Sequence, residues 1–503
     1  MAAENAISIL VATGILLYLS VVTYNLLIHP LKDFPGPRTL AASRIPVTYA
    51  SLKGIQAQWL HNLHLKYGPV VRVAPNELSF IDEQAWNDIY SSSPTVPQSM
   101  KRGSDFFRYL EDDDNRPSIL AADETDHPRI RRAYAPAFSR RALARQEPIL
   151  AKYGDALVEI LSDMEENTIN IRDLFHYTLF EIVGHFQFGE ELGVLRKGAH
   201  RTWVHSQPRL VRVATLLSAL AEFSWINLLF RSTIPWMSKW RRKAYFKASN
   251  DLIDHRLRTQ SDEPDLIGLT FRNSRNLSLT EKDIRANAHI MMTGGAETTM
   301  TTMTALTAYL LQHPECFARL KNEIRTAFHD KSQVSLESVS NLAYLDACIK
   351  EALRIFPPIP GAMHRVTPAS GALIAGRWVA GNMRVYIPIF AVTHSPTHFW
   401  NPDKFIPDRW LNGADGPYQK DNKAAFHPFS TGPRGCIGQD MAYGMTKVVF
   451  CKFATEFNCE LASDDTGSWL SGLRSWGTWD APPLMVRVSR VERPASDYDM
   501  MSL

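Results

Sequence analysis

The chain has 503 residues, 45% hydrophobic and 21% charged, with 55 Lys and Arg against 52 Asp and Glu for a net charge of +3. That composition is globular, shows no fixed-period repeat, and gives no general case for nucleic acid. The five cysteines, Cys316, Cys348, Cys436, Cys451 and Cys459, are an odd set without a C-x-x-C pair, which argues against a disulfide framework or a Cys-rich zinc site and fits a reducing compartment.

Residues 7–27 are uncharged and mostly apolar, and a helix of that length spans about 32 Å, roughly the hydrocarbon core of a bilayer. Residues 1–27 are therefore read as a single membrane anchor. A cleaved signal peptide is the competing reading, against which stand the length of the run and the lack of Lys or Arg before it. Glu4 precedes the run, whereas Lys32, Arg38, Arg44 and Lys53 follow it, so the charge bias puts the N-terminus in the lumen and the body in the cytosol. Pro35-Gly36-Pro37 breaks the helix and makes a stiff hinge, over 28–45, before a body at 46–503.

The pattern is helical from Ile55 to Tyr67, and Val70 to Ala74, a Pro75-Asn76 turn and Leu78 to Ile81 read as a hairpin. The segment 91–120, with Phe106, Phe107 and Tyr109, is long enough to be either a functional loop or a plain surface one. His127-Pro128-Arg129-Ile130-Arg131-Arg132 opens a helix predicted to continue basic through Arg140, Arg141 and Arg145. His127 and Arg131 are four apart and share a face. The remaining arginines are either a docking face for an acidic electron donor or a solvated face.

Residues 147–258 alternate between helical stretches without a chemical motif. Asn276-Leu277-Ser278 is a sequon that stays unmodified in a cytosolic body. Ser278-x-x-Glu281 reads as a capping box for a helix running to about Leu311, where His313-Pro314 ends it. In its middle lies Gly294-Gly295-Ala296-Glu297-Thr298-Thr299. Two mid-helix glycines cost about 2 kcal/mol against alanine, and a flat group pressed on the helix would be a reason for them. Thr298 can bond back to a carbonyl one turn earlier and open the helix locally.

Glu351-Ala352-Leu353-Arg354 places acid and base on one helix face, and Phe405 to Trp410, containing Arg409, follows. Between them Gly361 to Arg365 reads as a strand entering the interior, with His364 either lining it or facing solvent. Leu373 to Val385 reads as one hairpin, Gln439 to Phe457 as an apolar helix, and Ser471 to Trp479 with Pro483 to Val488 as a closing hairpin.

The densest signal is Phe429-Ser430-Thr431-Gly432-Pro433-Arg434-Gly435-Cys436-Ile437-Gly438. Its Gly and Pro content rules out a long helix or strand, so the backbone can curl around the sulfur, and a thiolate so held can serve as an axial haem ligand. The spacing Phe-x-x-Gly-x-Arg-x-Cys-x-Gly resembles the haem-binding loop of the cytochrome P450 monooxygenases, and together with Glu297-Thr298, Glu351/Arg354 and the anchor it occurs in that family's order.

The resemblance implies a mostly α fold with small β-sheets, the cytochrome P450 fold, as one large haem domain behind a transmembrane helix. It implies haem b on Cys436, with Phe429, Gly432 and Gly438 shaping the loop, and His127, Arg131, Arg365 and Arg434 on the propionates. His127 stands where the family usually has Trp. Glu297 and Thr298 correspond to the family's acid-alcohol pair for proton delivery, and Glu351, Arg354 and Arg409 to a structural network. By the same resemblance the segment 91–120 and Trp203 to Ile226 cover the substrate, and the turn of the closing hairpin reaches back over it.

The expected activity is insertion of one oxygen atom into a hydrophobic small molecule, a terpenoid or polyketide of fungal secondary metabolism. Electrons would come from NADPH through a cytochrome reductase, with cytochrome b5 as a further donor, at the cytosolic face of the endoplasmic reticulum. A haem-thiolate isomerase or dehydratase and a non-catalytic haem-binding protein are the alternatives.

Overall fold

An uncharged apolar run has one stable form away from water, a helix that closes its own hydrogen bonds, and Ala2–Leu27 takes it. In the computed structural model, which describes residues 2–91, 100–103, 110, 116–223, 246–259, 265–277, 279–462 and 472–492, this helix is long and apolar enough to cross a membrane. Its side chains are mostly exposed, but its end is docked on the body. Arg72, 1% exposed, donates from Nη1 to the Asn25 carbonyl at 3.0 Å and from Nε and Nη2 to the Pro75 carbonyl. Pro35-Gly36-Pro37 then runs against strand Val70–Ala74: the Arg72 N–H donates to the Pro35 carbonyl at 2.7 Å, and a Cβ on Gly36 would stand 2.5 Å from the Arg72 oxygen.

The body is mostly helical, with four small sheets among the described residues. It is built around one helix, Glu281–Gln312, packed along Ile171–Phe188 and against Ala343–Ile355 and Gln439–Glu456. This helix is buried nearly all round, as a helix without a polar face must be, and Met300, Met303 and Leu306 join Phe175, Val449 and Phe453 in the main core. Its threonines remain satisfied by bonding backwards: Thr301, Thr304 and Thr307 each donate to the carbonyl four residues earlier. The cap is Thr280 with Asp283, not the box expected at Ser278 and Glu281. Glu281 is taken by Arg285 at 2.6 Å, whereas Asp283 accepts from the Thr280 N–H at 2.8 Å.

The basic helix expected from His127 through Arg145 is broken by Pro136. Asp126–Tyr134 gives way to a 3-10 turn at Ala135–Phe138, and a separate helix, Arg140–Arg145, starts at the Ser139 cap.

Both expected late hairpins also divide. Ala372–Ile374 pairs with Arg377–Val379, but Arg384–Tyr386 joins the five-stranded sheet between Glu77–Phe80 and Arg365–Val366. Ser475–Trp476 pairs with Thr478–Trp479, while Met485–Arg490 joins Phe457–Leu461 and Ile169–Asn170. Strands this short gain little from one neighbour, so each goes where its apolar side is buried, as Val385, Val486 and Val488 are. Phe106, Phe107, Tyr109, Ser278, residues 224–226 and Ser471 lie outside the described residues.

Candidate active site

The cysteine loop needs its glycines for contact as well as conformation. Ser430 and Gly432 have φ of 60° and 73°, and a Cβ on Gly432 would stand 2.0 Å from the Tyr90 carbonyl oxygen. The loop closes through Cys436 N–H to the Phe429 carbonyl at 2.9 Å and Gly435 N–H to the Gly432 carbonyl at 3.0 Å, and the Phe429 ring packs on Tyr443. Helix Gln439–Glu456 starts just beyond Gly438, so its positive end lies close in sequence to the thiol. Burial pushes the Cys436 thiol up, while the Gly438 N–H and the Arg131 guanidinium pull it back. Cys436 is nevertheless exposed by surface area. The loop thus leaves the sulfur accessible rather than sealed in the core.

Cations converge beside that loop. Arg131 Nη1 donates to the Gly435 carbonyl at 2.7 Å; Arg434 Nη2 donates to the Ala122 carbonyl at 2.8 Å and lies 3.5 Å from Glu124. Arg365 stacks over Tyr90 and donates to the His364 carbonyl at 3.1 Å. His127 is pushed down to about 3 by burial and then by Arg434, Arg131, Arg102 and Arg365, so a neutral imidazole sits among four guanidinium groups. Arg365 Nε and Arg434 Nη1 are buried and find no acceptor among the described residues. Arg102 is the member that sequence reasoning missed: it follows Lys101 in the long segment 91–120, which its length alone had singled out.

The middle of the central helix faces a cavity of about 230 Å³. Gly294, Glu297 and Thr298 line it, and a Cβ on Gly294 would meet nothing within 4 Å, whereas one on Gly295 would press Val183 at 3.1 Å. Thr298 Oγ1 donates to the Gly294 carbonyl at 2.6 Å. Glu297 is 1% exposed, and burial raises its carboxyl to about 7, against the opposing pull of Arg172. Its Oε2 lies 3.2 Å from His176 Nε2 without the alignment of a hydrogen bond, and burial, then Arg172 and His205, hold that imidazole down to about 3. No sequence motif marked His176.

A sequence model of the cytochrome P450 family matches residues 35–469. The chain is 35% identical over 474 residues to the cytochrome P450 monooxygenase FUM2 of Gibberella moniliformis, covering 93% of this chain and 100% of that protein. The chain belongs to the cytochrome P450 family. It is 34% identical to the cytochrome P450 monooxygenase aneG of Aspergillus aculeatus, over 94% of this chain and 88% of that one. To the averantin hydroxylase of Dothistroma septosporum it is 33% identical, over 93% and 89%. This P450 is thus an oxidoreductase of a family that works on small molecules with haem iron.

The residues present fit that group. An accessible Cys436 in a glycine-shaped loop, a helix with a bare Gly294 on the cavity, and the buried Arg365 Nε and Arg434 Nη1 without acceptors among the described residues suit an iron porphyrin whose two carboxylates need cations. Elsewhere in this P450, Glu351 brings together Arg354 at 2.9 Å and Arg409 at 3.1 Å, all 0–1% exposed, and Arg409 continues to Asp421. His364 lines the cavity, its ring 4.3 Å from that of Tyr386.

Proposed function

We propose that this P450 is a microsomal monooxygenase that oxidises a hydrophobic small molecule of terpenoid or polyketide type, with electrons from an NADPH-dependent reductase. The observation that carries it is the Cys436 sulfur held in a glycine-shaped loop beside a cluster of guanidinium groups in which Arg365 Nε and Arg434 Nη1 find no acceptor among the described residues. Haem bound through Cys436 would supply dioxygen binding and O–O cleavage, which thiolate ligation favours. Arg131, Arg365, Arg434 and His127 would hold its carboxylates, His127 as a neutral donor.

On the cavity side, Thr298 Oγ1 gives its proton to the Gly294 carbonyl and so keeps its lone pairs free for an ordered water. Glu297, with its carboxyl near 7, carries an exchangeable proton at neutral pH. The apolar lining, with Leu60, Val211, Ile290 and Met363, excludes bulk water from that transfer. Glu351, Arg354 and Arg409 hold the chain around 393–410 and touch no reacting atom. The helix Ala2–Leu27 anchors the enzyme in the endoplasmic reticulum, with the body at 46–503 on the cytosolic face as the Lys and Arg after the anchor indicate. The expected donor is a cytochrome reductase, supplemented by cytochrome b5.

The test is expression with a reductase and isotopically labelled dioxygen over a panel of lipophilic metabolites. One labelled atom per product, at the expense of NADPH, is expected. A product without label would favour the isomerase or dehydratase, and a ligand bound without turnover a haem-binding protein.

A further inference from the structure

The same cavity carries a second polar group that the monooxygenase reading does not use. Glu77, 1% exposed in strand Glu77–Phe80, lies 2.7 Å from Arg44 Nη1 and 3.4 Å from Arg384 Nη1. Glu222, which caps the C-terminus of helix Arg201–Ala221, lies 2.8 Å from Arg384 Nη1 and 3.7 Å from Arg44 Nη1. All four residues line the cavity together with Glu297 and Thr298. Two guanidinium groups thus face two carboxylates inside a largely apolar space. His364, 3.9 Å from Glu77, is held down to about 3, chiefly by burial, and adds no charge.

The two carboxylates are not equivalent. Glu77 belongs to the sheet that carries Arg384, and despite burial the cations Arg44 and Arg384 hold it down to about 2, so it stays ionised and fixed. Its single charge balances one of the two arginines. Glu222 balances the other from a half-buried position, its side chain 26% exposed. It sits at the carbonyl end of a helix, where the macrodipole disfavours an anion. Of the four groups, Glu222 is the one whose departure costs least, because its carboxylate can turn to solvent while Glu77 stays in place.

We propose that Arg384, backed by Arg44, is the anchor for a carboxylate on the substrate, and that Glu222 fills that place in the free enzyme. The substrate is then a lipophilic acid, with an apolar body against Leu60, Val211 and Ile290. Its acid group exchanges for Glu222 and keeps the charge balance of the cavity. This rests on the cavity being the substrate site. A neutral ester cannot make the exchange: it leaves Glu222 in place and gains no ion pair.

The test is calorimetric binding to the full-length haem protein in detergent, with lipophilic carboxylic acids paired against their own methyl esters. At least one acid is expected to bind about tenfold or more tightly than its ester. Arg384→Gln should remove that preference, Arg384→Lys should keep part of it, and Glu222→Gln should tighten the acid several-fold while leaving the ester unchanged. Equal or weaker binding of every acid than of its ester, or an acid preference that survives Arg384→Gln, overturns the proposal. If Arg384→Gln does not fold, Glu222→Gln decides: no gain for the acid overturns it. Esters that bind while acids do not would sink this inference and leave the monooxygenase reading standing. A wild-type protein without the thiolate-type spectrum would sink that reading while the acid preference can still be measured.

Discussion

Replacing Glu351 by Gln removes one charge from a site that is buried from solvent, with Glu351 and Arg354 0% exposed. The carboxylate accepts from Arg354 Nε and Nη2, both at 2.9 Å, from Arg409 Nε at 3.1 Å, from the Ile406 N–H at 2.9 Å and from Trp410 Nε1 at 2.9 Å. An amide oxygen placed where Oε1 lies keeps three of these donors, but its NH₂ then faces Arg354 Nε and Trp410 Nε1, donor against donor. Arg409 retains the Asp421 carboxylate, whereas Arg354 keeps only neutral acceptors, the amide oxygen and the carbonyls of Thr393, Pro402 and Lys404. Removing one partner of a buried pair costs about 3–5 kcal/mol.

A chain of this size is expected to unfold irreversibly, so the assay is the half-life of bound haem and of folded protein at a fixed temperature, wild type against Glu351→Gln. At equal effect on the unfolding barrier, 3 kcal/mol shortens the half-life by about a hundredfold. Burial pushes the Glu351 carboxyl up, but Arg354, Arg409 and the Ile406 N–H outweigh it, and the net shift is downward. A carboxylate lowered on folding stabilises above its unfolded value and loses that contribution as pH falls through the folded one. The gap between wild type and variant should therefore shrink in acid. Equal half-lives at neutral pH would refute the reasoning.

Thr298→Ala should leave haem content and substrate binding nearly unchanged while more NADPH electrons leave as hydrogen peroxide; Thr299→Ala should not, because its hydroxyl is buried on the Gly295 carbonyl at 2.7 Å. Equal peroxide per NADPH in wild type and Thr298→Ala would remove that hydroxyl from the mechanism. Because burial raises Glu297 to about 7, product per NADPH should fall as pH rises through that value, and Glu297→Gln should flatten the profile; an unchanged profile would contradict the assignment. The same raised carboxyl contributes stability below the ordinary carboxylate range that is lost as pH rises through 7, so Glu297→Gln should also be the less pH-sensitive in thermal unfolding. A chain starting at Leu31 should still bind haem but leave the membrane fraction. Because Arg72 then loses the Asn25 carbonyl, it should also be about 1 kcal/mol less stable; full membrane retention would point to a second apolar surface.

Residues close in sequence, or read at a fixed helical spacing, were legible. The glycine loop around Cys436, the Glu351/Arg354 face and the long central helix all follow from local chemistry. Pairings between distant short strands were not, since three-residue segments such as Arg384–Tyr386 carry no register of their own and settle where Tyr386 and Val385 find burial. Pro136 splits the basic helix, a break that the run of arginines masked. His176, Arg102 and the Glu77–Arg384–Glu222 group have no motif because their meaning lies in what faces them: an imidazole 121 positions before Glu297 acquires a role only through the packing of Ile171–Phe188 on Glu281–Gln312.

The most direct test of the central claim is the absorption spectrum of the reduced carbon monoxide complex of the full-length protein, wild type against Cys436→Ser. The wild type should show the thiolate-type band, and Cys436→Ser should lose it, although Cys316, Cys348, Cys451 and Cys459 remain. Survival of that band in Cys436→Ser would place the iron on another cysteine and contradict the account.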